Sequence, residues 1–130
     1  MFCTSFFFFK KQIQDVKNGN WWLQITDDTI IGFWPQQIFT GMAHSATYIA
    51  AGGEAYSPPG QPLAAMGNGH YPVTDTRLSA YFMGFFVVDE NYKQINTQDT
   101  EEYRDIKNYA VFDIGFRKIF GRLVFYGGPH

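Results

Sequence analysis

Hydrophobic and polar positions alternate over short stretches of this chain, the pattern typical of β-strands with one buried face. Near the start, this alternation predicts strands over residues 12–16 and 21–25, and residues 30–34 (IIGFW) are interpreted as a third strand. Asn-Gly at 18–19 favours a hairpin turn, and Asp-Asp at 27–28 predicts a second turn. The second and third of these strands are therefore expected to pair as an antiparallel hairpin.

The middle of the chain predicts one more strand and then a long loop. Pro35 closes the third strand and favours a short helical turn over 36–39. Residues 46–51 (ATYIAA) predict a half-buried strand, because Thr, Tyr and Ile favour a pleated backbone. Residues 52–72 are rich in Gly, Pro and Ala and lack periodicity, so they predict a loop of a length that is usually functional when ordered. The glycines of MGNGHY at 66–71 would let that loop fold tightly over a site.

The last third of the chain predicts the remaining strands. The segment 80–88 (AYFMGFFVV) is the most hydrophobic, and we interpret it as a central strand covered on both faces. Residues 89–91 predict a turn and 96–105 a solvated connection. The last two strands are expected at 110–114 and 123–126. The pattern as a whole predicts an all-β, antiparallel fold with a long loop at about 52–72.

Composition agrees with this class and restricts the function. The chain of 130 residues is 19% aromatic and only 17% charged, contains 13 glycines, and has a formal net charge of −2. No cluster of Lys or Arg exceeds a pair, which argues against a nucleic-acid partner, and no apolar run reaches the length that spans a membrane. One cysteine, Cys3, excludes a disulfide within the chain. His44, His70 and His130 are too scattered to indicate a zinc site, so neither a metal nor a cofactor is expected.

The first eleven residues differ from the rest of the sequence. MFCTSFFFF at 1–9 is an apolar run without alternation, and it is a poor secretory signal because its positive charges follow rather than precede it. We interpret residues 1–11 as a leader that looks non-native, and residues 12–130 as the domain.

The candidate for chemistry is Glu54. It follows Gly52 and Gly53, which lack Cβ atoms and so allow a ligand or another backbone to approach closely. A carboxylate at the end of a strand and beside a long loop can act as a general acid or base. A solvated loop glutamate is the alternative, since most acidic side chains are simply exposed.

Six strings, in order along the chain, carry a resemblance to a known family. They are NGNWWL at 18–23, IGFWPQQIFT at 31–40, ATYIAAGGE at 46–54, MGNGHY at 66–71, YFMGFFVVD at 81–89 and FYGGP at 125–129. Together they resemble the carboxyl-terminal half of the neprosin domain. Most members of that family are secreted plant proteins, and its characterised member is a glutamic-type prolyl endopeptidase.

The resemblance implies an antiparallel β-sandwich with a pair of catalytic glutamates in a cleft. One glutamate of the pair falls on Glu54, and the other lies upstream of the WWL string in the family, where this chain is expected to lack it. Cleavage after proline, without a metal or a covalent intermediate, is implied, and so is a proline-rich peptide or protein substrate. The candidate substrate-binding residues are Trp22, Trp34, Tyr48, Tyr56 and His70. Secretion is implied by the family alone.

The chain departs from the family pattern at several positions. Ala51 replaces the tryptophan before GGE, and Met83 replaces an arginine. Residues 73–75 replace an acidic pair, and Glu102 stands near one of two absent cysteines.

A single glutamate cannot act as acid and base at once. Three hypotheses therefore stay open: an impaired glutamic peptidase, an inactive remnant that binds peptide or glycan, and a fragment that does not fold alone. The remnant would bind through Trp21, Trp22, Trp34 and Tyr56, although core packing is the alternative role for the adjacent tryptophans.

Overall fold

The computed structural model describes residues 10–25, 29–42 and 44–129, excluding the side chains of Lys10 and Lys11. The described residues form two compact units. Unit A comprises residues 10–50 and 90–92, and unit B comprises 51–89 and 93–129. The predicted leader at 1–9, the turn at 27–28, Cys3 and His130 lie outside the described residues.

Unit A contains a three-stranded antiparallel sheet. Its strands are β1 (Lys10–Gln14), β2 (Trp21–Ile25) and β3 (Thr29–Trp34), in the order β1-β2-β3. The predicted hairpin of the second and third strands is confirmed. The ladder slips between Leu23 and Gln24, which makes Ile31 a bulge in β3. A 3-10 turn at Gln36–Ile38 follows, close to the predicted helical turn.

The turn between β1 and β2 is closed by backbone and side-chain hydrogen bonds. The Gly19 amide donates to the carbonyl of Asp15 over 2.7 Å, and Gly19 has a φ of 72°, which glycine adopts without strain. A Cβ on Gly19 would lie 2.6 Å from the side chain of Gln36. The Gln36 amide in turn donates to Oδ1 of Asn20. The first two family strings are therefore in direct contact.

Unit B is built around its last strand. The sheet order is β4 (Ala80–Met83), β8 (Gly121–Gly127), β7 (Ala110–Arg117), all antiparallel. A separate ladder joins β5 (Phe86–Val88) and β6 (Gln94–Asn96). Five buried hydrophobic residues lie at or beside β7 and β8: Tyr109, Ala110, Leu123, Val124 and Phe125. The core of unit B is thus centred on β8.

Two of the strand predictions are wrong. Residues 46–51 form no regular structure and are exposed, with Tyr48 81% accessible. Strand propensity there is not matched by a partner strand among the described residues, so no ladder forms. The segment 80–88 is two strands instead of one, because the chain breaks at Gly84 (φ 70°), and β4 lies at a sheet edge while β8 takes the centre. Strand β6 was not predicted at all, since 94–96 is polar and exposed.

A half-buried ion pair fixes the chain before β7 to the β7–β8 hairpin. A bulge at residues 114–115 interrupts the ladder. Next to it, Nε of Arg122 donates to Oδ2 of Asp113 over 2.7 Å, and the two side chains are only 13% and 10% exposed. Arg122 also donates to the carbonyl of Thr97 over 2.6 Å and contacts the hydroxyl of Thr100, while that hydroxyl donates to Asp113.

Burial raises the pKa of Asp113, but hydrogen bonds from Thr100, Gly115 and Arg122 outweigh it and hold that pKa below its usual value. The Asp113 carboxylate therefore stays ionised and keeps its ion pair with Arg122 at pH values where an ordinary aspartate begins to bind a proton.

The predicted fold class is confirmed: the described elements are almost all strands, and all pair antiparallel. The predicted long loop is present at 52–72, interrupted only by a bridge between Met66 and Gly128. Among the residues described, there is no helix with the length and apolarity needed to cross a bilayer.

Candidate active site

The backbone that carries Glu54 rests directly on β8. A Cβ built on Gly53 would lie 2.6 Å from Sδ of Met66 and 3.3 Å from Cδ2 of Tyr126. No side chain other than hydrogen fits this position without displacing Met66. Gly53 thus brings three family strings into contact: GGE, MGNGHY and FYGGP. The preceding glycine, Gly52, has open space around it.

The MGNGHY turn is held against the same strand by further glycines. Gly67 and Gly69 have positive φ values of 67° and 79°, so the backbone folds tightly as expected. A Cβ on Gly67 would lie 2.7 Å from Cβ of Ala80, at the start of β4. A Cβ on Gly127 would overlap the carbonyl oxygen of His70. Backbone therefore packs on backbone at the end of β8.

Hydrogen bonds order the long loop around this contact. The Met66 amide donates to the Gly128 carbonyl over 2.6 Å, and the Tyr109 hydroxyl donates to the Ala64 carbonyl over 2.7 Å. The Ala64 amide donates to the hydroxyl of Ser57 over 2.6 Å. Each bond ties the loop to itself or to the buried core, so the loop after Glu54 is a positioned structure.

Two more side chains fix the far end of the loop. The hydroxyl of Tyr71 donates to the Lys107 carbonyl over 2.5 Å. The buried hydroxyl of Ser79 bonds both the amide and the carbonyl of Val73, each over 2.8 Å. Backbone groups that would be unpaired in a loop are thereby satisfied.

Glu54 itself projects into solvent from this scaffold. Its side chain is exposed, and it makes no hydrogen bond or ion pair with any residue that the structure describes. An accessible carboxylate on a fixed backbone can accept a proton or bind a water molecule. Within residues 10–25, 29–42 and 44–129, no group of three acidic, His or Cys side chains could hold a metal ion.

Two of the predicted substrate-binding residues share unit B with Glu54. Tyr56 lies two residues beyond it and is 77% exposed. His70 is exposed in the MGNGHY turn, and its backbone carbonyl faces Gly127. Both side chains are accessible, and their binding roles remain predictions.

The other three predicted binding residues belong to unit A. Trp22 stacks on Phe33, with ring centroids 4.8 Å apart, and Trp34 lies opposite Trp21. Neighbouring residues of a strand face opposite sides, so Trp22 and Trp34 lie on different faces of the sheet. Trp34 is 38% exposed and Tyr48 81% exposed. Their substrate-binding roles also remain predictions.

The sequence did not identify the residues that support Glu54. Met66 and Tyr126 are the neighbours of Gly53, and Gly127 is the position where the loop meets β8. A sequence pattern that indicates close packing was present, because all three residues lie in family strings that contain paired or alternating glycines. The pattern marks close backbone approach but does not show which strings approach each other.

Fold and site together define an all-β, antiparallel protein that presents one accessible carboxylate on a glycine-packed loop. A family model described as Neprosin matches residues 5–129, so the chain belongs to the neprosin family. The family predicted from the six strings is confirmed. No solved structure matches the chain.

Proposed function

We propose that this chain is a domain of the glutamic-peptidase type that hydrolyses peptide bonds after proline, with Glu54 as one of its two catalytic carboxylates. Family membership and the position of Glu54 in the GGE string support the proposal. The observation that carries it is the packing of Gly53 against Met66 and Tyr126, which leaves the neighbouring carboxylate accessible on a fixed backbone.

The proposed chemistry requires a second carboxylate. Hydrolysis without a metal needs a base that removes a proton from water and an acid that protonates the leaving nitrogen. Two nearby carboxyl groups divide these roles, because repulsion raises the pKa of one of them and keeps it protonated. No described carboxylate contacts Glu54, so we assign the second role to the glutamate that the family carries upstream of the WWL string. Glu54 is the one glutamate within the six matched strings, so we expect slow turnover when this sequence is assayed by itself.

The test is to incubate the protein at acidic pH with a synthetic peptide that contains one internal proline, and to identify the cleavage products by mass spectrometry. We expect slow cleavage on the carboxyl side of proline, and a further loss in Glu54→Gln. Glu101→Gln is the matched control, because Glu101 is also an exposed glutamate of unit B. Equal rates for the wild-type chain and Glu54→Gln would remove Glu54 from the mechanism.

A second candidate is an inactive domain that binds proline-containing peptides without cutting them. The aromatic pair Trp21 and Trp34 favours it, since the two residues lie opposite each other in the unit A sheet and Trp34 is 38% accessible. Aromatic grooves are the usual receptors for proline-rich segments. Saturable binding of the same peptide by calorimetry, with no product in the mass spectrum, would distinguish this candidate. An absence of binding heat would eliminate it.

We extend the proposal to partners and location on the basis of the family. The substrate is a peptide or protein rich in proline, with neither nucleic acid nor membrane as a partner, and the protein is secreted. Recovery of the full gene product from culture medium, rather than from the cell lysate, would test the location.

A further inference from the structure

A groove lies on the face of the unit B sheet that points away from Glu54. Its volume is about 460 Å³, its floor is apolar (Ile114, Phe120, Leu123 and Phe125), and the side chain of Ile119 lines its edge. Leu123 and Phe125 alternate with Tyr126 along β8, so they lie on the opposite face from the ring that Gly53 contacts. The groove is therefore separate from the candidate active site.

The rim of the groove is positively charged. Arg117 and Lys118, both exposed, stand at the turn between β7 and β8, and neither forms an ion pair within the described chain. The acidic residue of the rim, Asp75, is already bound by Arg77 through an N–O contact of 2.7 Å. Two unmatched positive charges thus border an apolar floor, in a chain whose formal net charge is −2.

We propose that this groove is a second peptide-binding site, which takes a segment with one large apolar side chain beside acidic residues. The apolar floor receives the side chain, and Arg117 and Lys118 bind the flanking carboxylates. Charge complementarity selects this occupant, because a basic segment would place like charges together at the rim. The groove is shallow and open to solvent, as suits an extended peptide segment, and its volume of about 460 Å³ accommodates an aromatic ring.

Ile119 makes the apolar part of the proposal testable. It lies in the turn and is 87% exposed, so its side chain contributes little to the core of unit B. Burial of that side chain under a bound peptide would give it a favourable role that it lacks in the free protein. Replacing it should therefore weaken binding without unfolding the domain.

The experiment is fluorescence anisotropy with a fluorescein-labelled peptide, Gly-Glu-Asp-Phe-Glu-Asp-Gly, titrated with the intact chain. Two further peptides replace Phe by Ser, or the four acidic residues by Lys. We expect saturable binding of the first peptide only. The double variant Arg117→Glu, Lys118→Glu should raise Kd at least about tenfold, and Ile119→Ser several-fold. Higher salt should also raise Kd.

Two controls separate this site from others. Lys107→Glu makes a similar charge reversal at an exposed lysine of unit B outside the groove, and it should leave Kd unchanged. Glu54→Gln should also leave it unchanged, so loss of peptidase activity and loss of groove binding are independent results. Absence of saturation, equal binding of the lysine peptide, or an unaffected double variant would overturn the proposal. So would sedimentation velocity showing a dimer that the double variant abolishes, because the occupant would then be a second copy of the chain.

Discussion

Replacing Gly127 by Ala should destabilise unit B and release the loop that carries the MGNGHY turn. A methyl group there would overlap the carbonyl oxygen of His70, which is backbone and cannot rotate away. Gly127 does not have a positive φ, so alanine can adopt the backbone conformation of this position without strain. The expected effect is purely the steric conflict between β8 and the turn.

The magnitude follows from the contacts that must give way. Overpacking of this kind costs about 1–3 kcal/mol. Separation of the turn from β8 would also stretch the 2.6 Å hydrogen bond between the Met66 amide and the Gly128 carbonyl, which contributes about 1 kcal/mol. The lower entropy of an unfolded chain with Ala returns about 0.4–1 kcal/mol. We therefore expect a net loss of about 1–3.5 kcal/mol, centred on about 2 kcal/mol, in the free energy of unfolding.

Gly52→Ala is the matched control, because a Cβ at that position meets no atom within 4 Å. It should leave stability unchanged or raise it slightly. Gly53→Ala is intermediate: its methyl would press on the flexible side chain of Met66, which can move at a cost of about 1 kcal/mol. The methyl group would also press on the ring of Tyr126 and shift the backbone next to Glu54, so Gly53→Ala should lower the rate of the proposed cleavage although it costs little stability.

The assay is urea unfolding followed by far-UV circular dichroism, combined with hydrogen exchange of the peptide covering 121–129. Tryptophan fluorescence would report on the wrong part, because the three tryptophans all lie in unit A. With a denaturant slope of about 2 kcal/mol/M, a loss of about 2 kcal/mol lowers the midpoint by about 1 M in Gly127→Ala. An unchanged midpoint together with unchanged exchange in 121–129 would refute the close packing of His70 on β8.

Three other predictions follow from the buried groups of unit B. Asp113→Asn should cost about 3 kcal/mol in urea unfolding, because it leaves the half-buried guanidinium of Arg122 without its counter-ion; Asp75→Asn, at an exposed pair, should change the midpoint little. The folded pKa of Asp113 is lowered, so its contribution to the free energy of unfolding is complete above the unfolded pKa of about 3.9 and is lost as pH falls through the folded pKa. The free energy of unfolding should therefore fall less steeply with decreasing pH in Asp113→Asn than in the wild-type chain. An identical slope in the two proteins would contradict the lowered pKa. Tyr109→Phe should cost about 1 kcal/mol by the same unfolding assay, because the Ala64 carbonyl loses its donor, whereas no loss would mean that water replaces the hydroxyl.

Local pattern predicted apolar strands whose partner is close in sequence, such as β2 and β3, but it missed the polar strand β6. β2 and β3 pair with each other, and aromatic residues of one strand lie directly opposite aromatic residues of the other. The bounds of both strands were predicted almost to the residue. Residues 46–51 have the same propensities, yet no described strand pairs with them, and they remain exposed coil. Pairing is a tertiary property, and propensity alone does not contain it.

The centre of unit B was misplaced for a related reason. The most hydrophobic segment, 80–88, was expected at the centre, but Gly84 adopts a left-handed φ of 70° and divides it into β4 and β5. β8 is less hydrophobic overall, yet it pairs on both sides and holds the most buried side chain, Phe125, at 1% exposure. In the sheet of unit B, burial follows the number of strand partners, which the hydrophobicity of one segment does not give.

Packing explains the glycines around the candidate site but does not explain Glu54. Gly53, Gly67 and Gly127 each occupy a position where a methyl group would meet another part of unit B. Glu54 is exposed and contacts no described polar partner, so the fold would form equally well with Gln at this position. Glu54 therefore has no structural role among the described contacts, and the role that we propose for it is chemical. Unchanged stability with reduced cleavage in Glu54→Gln is the result that this reasoning requires.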